Sequence, residues 1–474
     1  MPYILITISV FLAWLPLLGC YIPVMDDYNT SSILLPGGLG DYFHIHGMWR
    51  IIGHTIAASA IQVHPLFYNT LAVFTHLIVI CLFFAVCKRL IGNITTATIL
   101  SLLMASFPWG YQAIVWASAY PYVLATGIFL ANVLVLTRVS GKRSDQAVAF
   151  IASYLLTVLA LLIQESLTFA FMVSGLIVWL TNDRRNLTRL IRGVADRFSG
   201  WGPALGVLSY IGLYEMFKTA QMTKPLPDFN AISILSTYYF QWSNIYVFQP
   251  LFEPATRQLT FDSWTWIRIL AGILLSGLLI VTIFMMLVNK EVEETETNRF
   301  LKHRQVLGYI VLLLLGASFV YAVGGGYSLD SRKKYQLVPL MLLLMGWCWS
   351  RFGPVRIGRK GVGVLTGVMA FGIITTWLMV GIWKYEVART DALAEFLSDM
   401  GISGKIHVMW NPDLYRLWPA MESTWGFRLD DQNYLNNALN KKGGGRVTVT
   451  DDPDAITVRY EMEERQWRIM DWKR

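Results

Sequence analysis

The sequence predicts an all-α protein that spans a membrane many times and ends in a small α/β domain. Hydrophobic residues make up 55% of the 474 residues and charged residues only 15%, and the mean hydropathy is +0.47. This composition lies far from that of a soluble globular protein. Uninterrupted apolar runs of about 18–22 residues match the length that a helix needs to cross roughly 30 Å of hydrocarbon. Because the runs are too long and continuous for barrel strands, they indicate transmembrane helices.

We interpret eleven apolar segments of the chain as membrane spans. The eleven cover residues 3–22, 66–86, 93–107, 116–137, 147–163, 166–181, 199–215, 266–288, 306–322, 336–350 and 362–383. The fifth and sixth are short, and almost no connection separates them.

The polar residues after the last span predict a second domain. We therefore divide the chain into a transmembrane domain, 1–383, and a small extracytoplasmic α/β domain, 384–474. In the second domain a helical pattern covers residues near 385–400. Strand-like patterns follow near 405–410, 446–450 and 455–462.

The positions of the basic residues predict the orientation of the chain. Lys and Arg concentrate in alternate loops, which all lie on one side if eleven spans are present, and such loops face the cytoplasm. These residues are Lys88, Arg89, Arg138, Lys142, Arg143, Arg184, Arg185, Arg189, Arg192, Arg197, Lys290, Arg299, Lys302, Arg304, Arg351, Arg356, Arg359 and Lys360. The N-terminus is then cytoplasmic and the C-terminal domain lies outside.

Composition argues against several classes of function. The four cysteines lie in or at the ends of apolar spans, so they indicate neither a disulfide framework nor a zinc site. The net charge of +8 arises beside helix ends and does not indicate a nucleic-acid partner. The segment ending at Cys20 resembles a lipoprotein cleavage site, but no Lys/Arg region precedes it, so we expect the first span to be retained. The cytoplasmic side has no glycine-rich nucleotide-binding pattern.

The adjacent carboxylates Asp26 and Asp27 follow the first span directly and are the candidate catalytic residues. An acidic pair beside an apolar region is costly unless it is used. A carboxylate at the rim of an apolar cavity can accept a proton from an acceptor hydroxyl group. The alternative is a solvated pair that marks the end of a helix.

Arg332, Lys333 and Lys334 are the main exception to the charge pattern, because they lie on the predicted outer face, in loop 323–335. With Tyr335 they are candidates for binding a lipid phosphate at the membrane surface. General contact with anionic headgroups is the alternative.

Two further charged residues are candidates for substrate binding. Glu165 interrupts a continuous apolar stretch, so it either caps a tight helical hairpin or faces a cavity. Arg50 lies in the same outer loop, 23–65, as the acidic pair.

The long outer loops leave two other assignments open. His44 and His46, with Asp41 and the acidic pair, have a spacing that suits a divalent metal, although interfacial histidines are commoner as amphipathic surface residues. We therefore expect no cofactor. The aromatic residues of loop 215–265 indicate an interfacial belt, and stacked aromatics would also suit a sugar face or a prenyl chain.

These features together resemble the GT-C class of membrane glycosyltransferases, which use polyprenyl-phosphate sugars. Four local segments carry the resemblance besides the acidic pair: His64-Pro65-Leu66-Phe67-Tyr68-Asn69 with His76, Phe107-Pro108-Trp109-Gly110-Tyr111-Gln112-Ala113-Ile114-Val115-Trp116, Gln164-Glu165-Ser166, and Ser331-Arg332-Lys333-Lys334-Tyr335. They fall within residues 20–340, in the order and on the side of the membrane that is typical of the class. Gln164 replaces the usual basic residue, and two lysines separate Arg332 from Tyr335.

The resemblance implies a GT-C type helical fold and an inverting sugar transfer on the outer face of a bacterial inner membrane. It implies that Asp26 or Asp27 is the base and that the cations at 332–334 bind the donor phosphate. The expected partners are a polyprenyl-phosphate sugar donor, a glycan or glycolipid acceptor such as O-antigen or another cell-envelope glycan, and the lipid bilayer. The alternative function is a transporter or flippase of lipid-linked sugars, which would need broken or charged helices near the midplane.

Overall fold

The computed structural model describes residues 1–18, 33–34, 38, 50–108, 110–140, 142–180, 197–217, 303–323, 331–352, 359–409, 432–449, 454–461 and 466–471. Within these residues the protein is mostly helical. The helices are α1 (Pro2–Leu18), α2 (Ile51–Val63), α3 (Pro65–Ile91), α4 (Ile94–Ser106), α5 (Tyr111–Val115), α6 (Tyr120–Thr137), α7 (Arg143–Ile163), α8 (Thr168–Ser174), α9 (Leu176–Leu180), α10 (Gly202–Phe217), α11 (His303–Val323), α12 (Ser331–Phe352), α13 (Arg359–Asp399) and α14 (Gln432–Lys441). The strands are β1 (Gly404–Met409), β2 (Val447–Val449), β3 (Ile456–Glu461) and β4 (Gln466–Asp471).

Three of the described helices are long and apolar enough to cross a membrane, judged by length and composition: Leu66–Ile91, Tyr120–Thr137 and Arg143–Ile163. A mostly helical structure with three candidate membrane spans and a small mixed sheet is therefore confirmed, whereas the count of eleven spans is not. Ten predicted spans overlap described helices. The remaining one, 266–288, lies outside the described residues.

Helix α2 is a correction to the predicted loop 23–65. Most of its 13 residues are apolar or small, but the segment is too short for a membrane span, so its hydropathy did not distinguish it from a loop. Helix α2 ends at Val63, because Pro65 disfavours helical backbone in the residue before it, His64. His64 is extended, and its Nδ1 accepts a hydrogen bond of 3.1 Å from the amide of Leu66, which caps the start of α3.

Helix α3 lies at the centre of the bundle and packs against α1, α2, α4 and α6. Large buried side chains fill the interfaces, including Trp14, Tyr68, Phe83 and Phe129. Helix α7 packs against α6 on one side and α10 on the other.

The chain between α7 and α8 is broken rather than helical. Gln164 is extended, with φ −159° and ψ 113°, and a short 3-10 turn, Glu165–Leu167, follows it. The two predicted spans therefore meet at a defined kink that places the Glu165 side chain at the end of α7.

The C-terminal α/β module has its own hydrophobic core. The four strands have the order β2-β1-β3-β4; β1 is parallel to β2 and β3, and β4 is antiparallel to β3. The core contains Leu393 and Leu397 from α13, Leu435 from α14, and Ile406 and Val458 from the sheet. The predicted strands are confirmed, whereas α14 and β4 were not predicted.

Contacts between helix termini define two ends of the bundle. At one end Arg50 pairs with Glu165, Ser166 with Gln336, and Asn69 with the carbonyl of Leu17. We call this the Glu165 end. At the other, the Arg89 end, Arg89 donates to the carbonyl of Thr137, and Ser199 donates to Gln146.

The Arg89 end collects basic residues that were predicted to face the cytoplasm. These residues are Lys88, Arg89, Arg138, Lys142, Arg143 and Arg197. The Glu165 end corresponds to the predicted outer face.

Candidate functional site

Arg50 and Glu165 form an ion pair at the Glu165 end. Nη2 of Arg50 donates to Oε1 of Glu165 at 3.0 Å, and its Nε lies 3.4 Å from Oε2. The two side chains are 25% and 20% exposed. The Arg50 guanidinium also lies over the ring of Tyr122, 5.6 Å from its centroid, so a cation–π contact adds to the pair.

Arg50 holds this pair from an unusual backbone conformation. It precedes α2 with φ 57° and ψ 7°, which is the left-handed region. Among the described residues it is the one non-glycine residue with positive φ. A left-handed residue that bears a side chain costs roughly 1–2 kcal/mol. The contacts of the Arg50 side chain therefore offset local backbone strain.

A second polar contact at this end connects the kink after α7 to the start of α12. Ser166 Oγ donates to Oε1 of Gln336 at 2.5 Å, and Gln164 Nε2 donates to Ser166 Oγ at 3.2 Å. Gln164, Ser166 and Gln336 are all buried. Ser166 and Gln336, which are 170 positions apart in the sequence, thus lie in contact.

Tyr335 lies beside this contact and points into the bundle. It is 1% exposed, and its hydroxyl group is hydrogen-bonded to Nδ1 of His76 at 2.6 Å. The ring of His76 also packs edge-on against Trp14, with centroids 5.6 Å apart. Trp14, His76 and Tyr335 therefore join α1, α3 and α12.

The segment before α5 approaches α12 at the same place. Gly110 has φ +75°, and a Cβ atom there would lie 2.6 Å from Cβ and 2.7 Å from Cα of Tyr335. Only glycine permits both this conformation and this contact. The carbonyl of Ile114 accepts a hydrogen bond of 3.2 Å from Tyr68, which ties the segment to α3.

The loop predicted for 323–335 is corrected at its C-terminal part, because α12 begins at Ser331. Arg332, Lys333 and Lys334 therefore occupy the first turn of a 22-residue helix. Arg332 stands four positions before Gln336, one turn nearer the helix start on the same face. The positive end of the helix dipole adds to the charge of these three residues, so an anion is favoured here.

The candidate residues differ in how the structure places them. Arg50, Glu165 and Tyr335 gather at one end of the bundle, and Tyr335 is buried rather than exposed on a loop. The acidic pair, Asp26 and Asp27, lies outside the described residues.

The histidines and aspartate of the possible metal site also lie outside the described residues. Within the described part of the chain, no three His, Cys, Asp or Glu side chains lie together in a way that could hold a metal ion.

Several members of the site were not singled out from the sequence. Gln336 stands where a charged run changes to an apolar helix, which is a weak signal. Trp14 has no local signal, because it is one apolar residue among many in α1. The pairing of Arg50 with Glu165 joins residues 115 positions apart and has no signature in either local sequence.

Comparison of the chain with models of protein families, with characterised proteins and with solved structures gave no match.

Proposed function

We propose that the protein is an inverting glycosyltransferase that moves a sugar from a polyprenyl-phosphate donor to an envelope glycan or lipid-linked acceptor. The proposed location is a bacterial inner membrane, with the N-terminus in the cytoplasm. The Glu165 end and the C-terminal module then face outward.

One observation carries the proposal: the four separate segments that resemble the GT-C class meet at one end of the bundle. Tyr68 contacts the segment at 107–116, Gly110 contacts Tyr335, and Ser166 contacts Gln336 next to Tyr335. Contacts over such distances in sequence do not follow from the apolar pattern of the helices. They support a shared site in which these segments act together.

The electrostatics of the first turn of α12 favours a phosphate ligand. Arg50 already has a carboxylate partner, Glu165, so its charge is largely compensated locally. The cations at 332–334 lie at the positive pole of α12, whose first turn contains no acidic residue; Asp330 directly precedes the helix in the sequence and leaves a net positive charge of two over residues 330–334. A lipid phosphate would satisfy both the three charges and the helix dipole.

In the proposed reaction the oxygen of the acceptor hydroxyl attacks the anomeric carbon of the donor sugar. The bond from that carbon to the phosphate oxygen breaks, and polyprenyl phosphate leaves with the bonding electrons. Asp26 or Asp27 takes the hydroxyl proton. Arg332, Lys333 and Lys334 stabilise the negative charge that grows on the departing phosphate, so they lower the energy of the transition state more than that of the bound donor.

We assign Glu165 and Arg50 to substrate binding near the reacting groups. Their side chains are partly exposed at the end of the bundle, and a carboxylate–guanidinium pair can accept and donate hydrogen bonds to sugar hydroxyl groups. Tyr122 holds the guanidinium in place from the apolar side.

The test uses purified protein in lipid nanodiscs with polyprenyl-phosphate sugars as donors and envelope glycans as acceptors. Asp26→Asn and Asp27→Asn are assayed separately, and we expect one of them to abolish transfer while the protein stays folded. Full activity in both variants would rule out the acidic pair as the base.

The basic site is tested by comparing Arg332→Ala with Arg356→Ala, which lies in a predicted cytoplasmic loop. Arg332→Ala should lower kcat/KM for the donor by about tenfold or more, with a fall in kcat as well as a rise in KM, whereas Arg356→Ala should leave both unchanged. Equal losses would contradict a phosphate site at the start of α12. Movement of the lipid-linked sugar across the bilayer without transfer would instead support the flippase alternative.

A further inference from the structure

His76 is an ionisable residue in the interior of a candidate membrane span. It lies ten residues from Leu66 and fifteen from Ile91, the ends of that span, or about 15 Å and 22 Å along the helix axis. Its side chain is 1% exposed. A polar ring at this depth is costly and indicates a functional role.

The side chain of His76 makes one hydrogen bond to the described residues. Nδ1 is bonded to the hydroxyl group of Tyr335, whereas Nε2 is buried without a hydrogen-bond partner among the described residues. Nε1 of the neighbouring Trp14 is in the same situation. A buried nitrogen without a partner costs about 1–3 kcal/mol. An apolar residue would therefore pack here at lower cost, and the bond to Tyr335 is the feature that histidine provides.

Tyr335 is the residue that directly follows the three cations of α12. The first turn of this helix is unfavourable by itself, because it contains three cations and no acidic residue, and the positive end of the helix dipole disfavours cations. Contacts from other helices must therefore hold it. The described contacts are those of His76 with Tyr335, of Gly110 with the Tyr335 backbone, and of Ser166 with Gln336.

We propose that His76 is a positioning residue that acts through Tyr335 to fix the backbone of the first turn of α12, so that the turn that carries Arg332, Lys333 and Lys334 is ordered before a lipid phosphate binds. The inference rests on the proposed function for the identity of the ligand. A turn that is already ordered loses less conformational entropy when the anion binds, so affinity rises. The His76–Tyr335 bond thus contributes to binding without touching the ligand.

The test measures two quantities in His76→Leu, His76→Asn and Tyr335→Phe. The first is the affinity for a polyprenyl monophosphate in nanodiscs, compared with inorganic phosphate in solution. The second is amide hydrogen exchange in residues 331–336. The control is Tyr309→Phe, which removes another buried hydrogen bond, from the Tyr309 hydroxyl to the carbonyl of Ser174 at 3.0 Å.

We expect His76→Leu and Tyr335→Phe each to weaken binding of the lipid phosphate about fivefold to tenfold, which corresponds to about 1–1.4 kcal/mol. Both should speed exchange at 331–336. The double variant should be no weaker than the worse single variant, because the two remove the same bond. His76→Asn should restore most of the affinity, since its amide can reach a similar place as Nδ1. Tyr309→Phe should change neither quantity at this helix.

Additive losses, or wild-type exchange at 331–336 in both single variants, would overturn the positioning role. Stronger binding of inorganic phosphate than of the lipid would overturn the ligand class. If the wild type binds neither anion, the anion-binding part of the inference and the proposed phosphate site both fail. The exchange data would then still decide whether His76 orders α12.

Discussion

The ion pair between Arg50 and Glu165 allows a prediction with a defined magnitude. At 3.0 Å the attraction between two unit charges is about 5.5 kcal/mol at an effective dielectric constant of about 20, before the cost of desolvation. Exposed pairs contribute a net of about 0–1 kcal/mol, and breaking a buried pair costs about 3–5 kcal/mol. The side chains are 25% and 20% exposed. We therefore expect Arg50→Ala to lower the free energy of unfolding by about 2–3 kcal/mol, between these two limits.

The left-handed backbone at Arg50 adds a second, independent expectation. Arg50→Gly also removes the ion pair, but glycine adopts positive φ without the steric penalty that alanine has. The glycine variant should therefore be more stable than the alanine variant by about 1 kcal/mol. Glycine is also preferred to alanine at the residue that precedes a helix, so both effects favour the glycine variant.

The assay is denaturant unfolding in detergent micelles, followed by near-ultraviolet circular dichroism. The matched control is Lys442→Ala, which removes the pair with Glu395, 3.6 Å apart, where the side chains are 38% and 63% exposed; its effect should stay below about 0.5 kcal/mol. The charge-reversed double variant, Arg50→Glu with Glu165→Arg, should recover part of the loss. A change below about 0.5 kcal/mol in Arg50→Ala, or a glycine variant less stable than the alanine variant, would refute the reasoning.

Three further predictions concern close packing and a buried amide. Gly206→Ala in α10 should destabilise the protein by about 1–3 kcal/mol, because the new Cβ would lie 2.8 Å from a side chain of α7. The control Gly212→Ala, in the same helix and with nothing within 4 Å of its Cβ, should be neutral or slightly stabilising. Equal thermal stabilities of the two variants would contradict the packing of α10 on α7. Gly110→Ala should reduce both thermal stability and donor affinity, because Cβ would collide with Tyr335 and φ is +75°; normal donor binding in this variant would contradict the close approach. Asn436→Ala should speed amide exchange in the C-terminal module, since it removes two hydrogen bonds of 2.8 and 2.9 Å to the backbone of β2; unchanged exchange there would show that these bonds carry little of its stability.

The helices of the bundle were largely predictable, because long apolar runs leave few other structures available. The residues at which the helices begin were less predictable. Helix α12 begins at Ser331 although three charged residues follow, which shows tertiary contacts overriding an unfavourable local charge pattern. Helix α14 contains four asparagines, which are poor helix formers. It is stabilised by burial of Leu435 and Leu439 in the module core, which the sequence does not reveal.

The residues of the candidate site were predictable as single exceptions to a pattern, but not as partners. Glu165 stood out as a charge in an apolar stretch. The structure accommodates this charge because the extended residue before it, Gln164, interrupts the helix and places the Glu165 side chain at the end of α7. Its pairing with Arg50 depends on how α2 and α7 pack, so it could not be read from either segment. The same holds for His76 and Tyr335, which are 259 positions apart.

Helix α13 is continuous from Arg359 to Asp399, so the predicted division at residue 383 falls inside a rod of 41 residues, about 60 Å long. The end of this rod contributes directly to the core of the C-terminal module. The direction in which the sheet faces is therefore set by the number of residues in the rod. Deleting one residue would rotate the module by about 100° about the rod axis. Inserting seven would nearly restore its facing and displace it by about 10 Å.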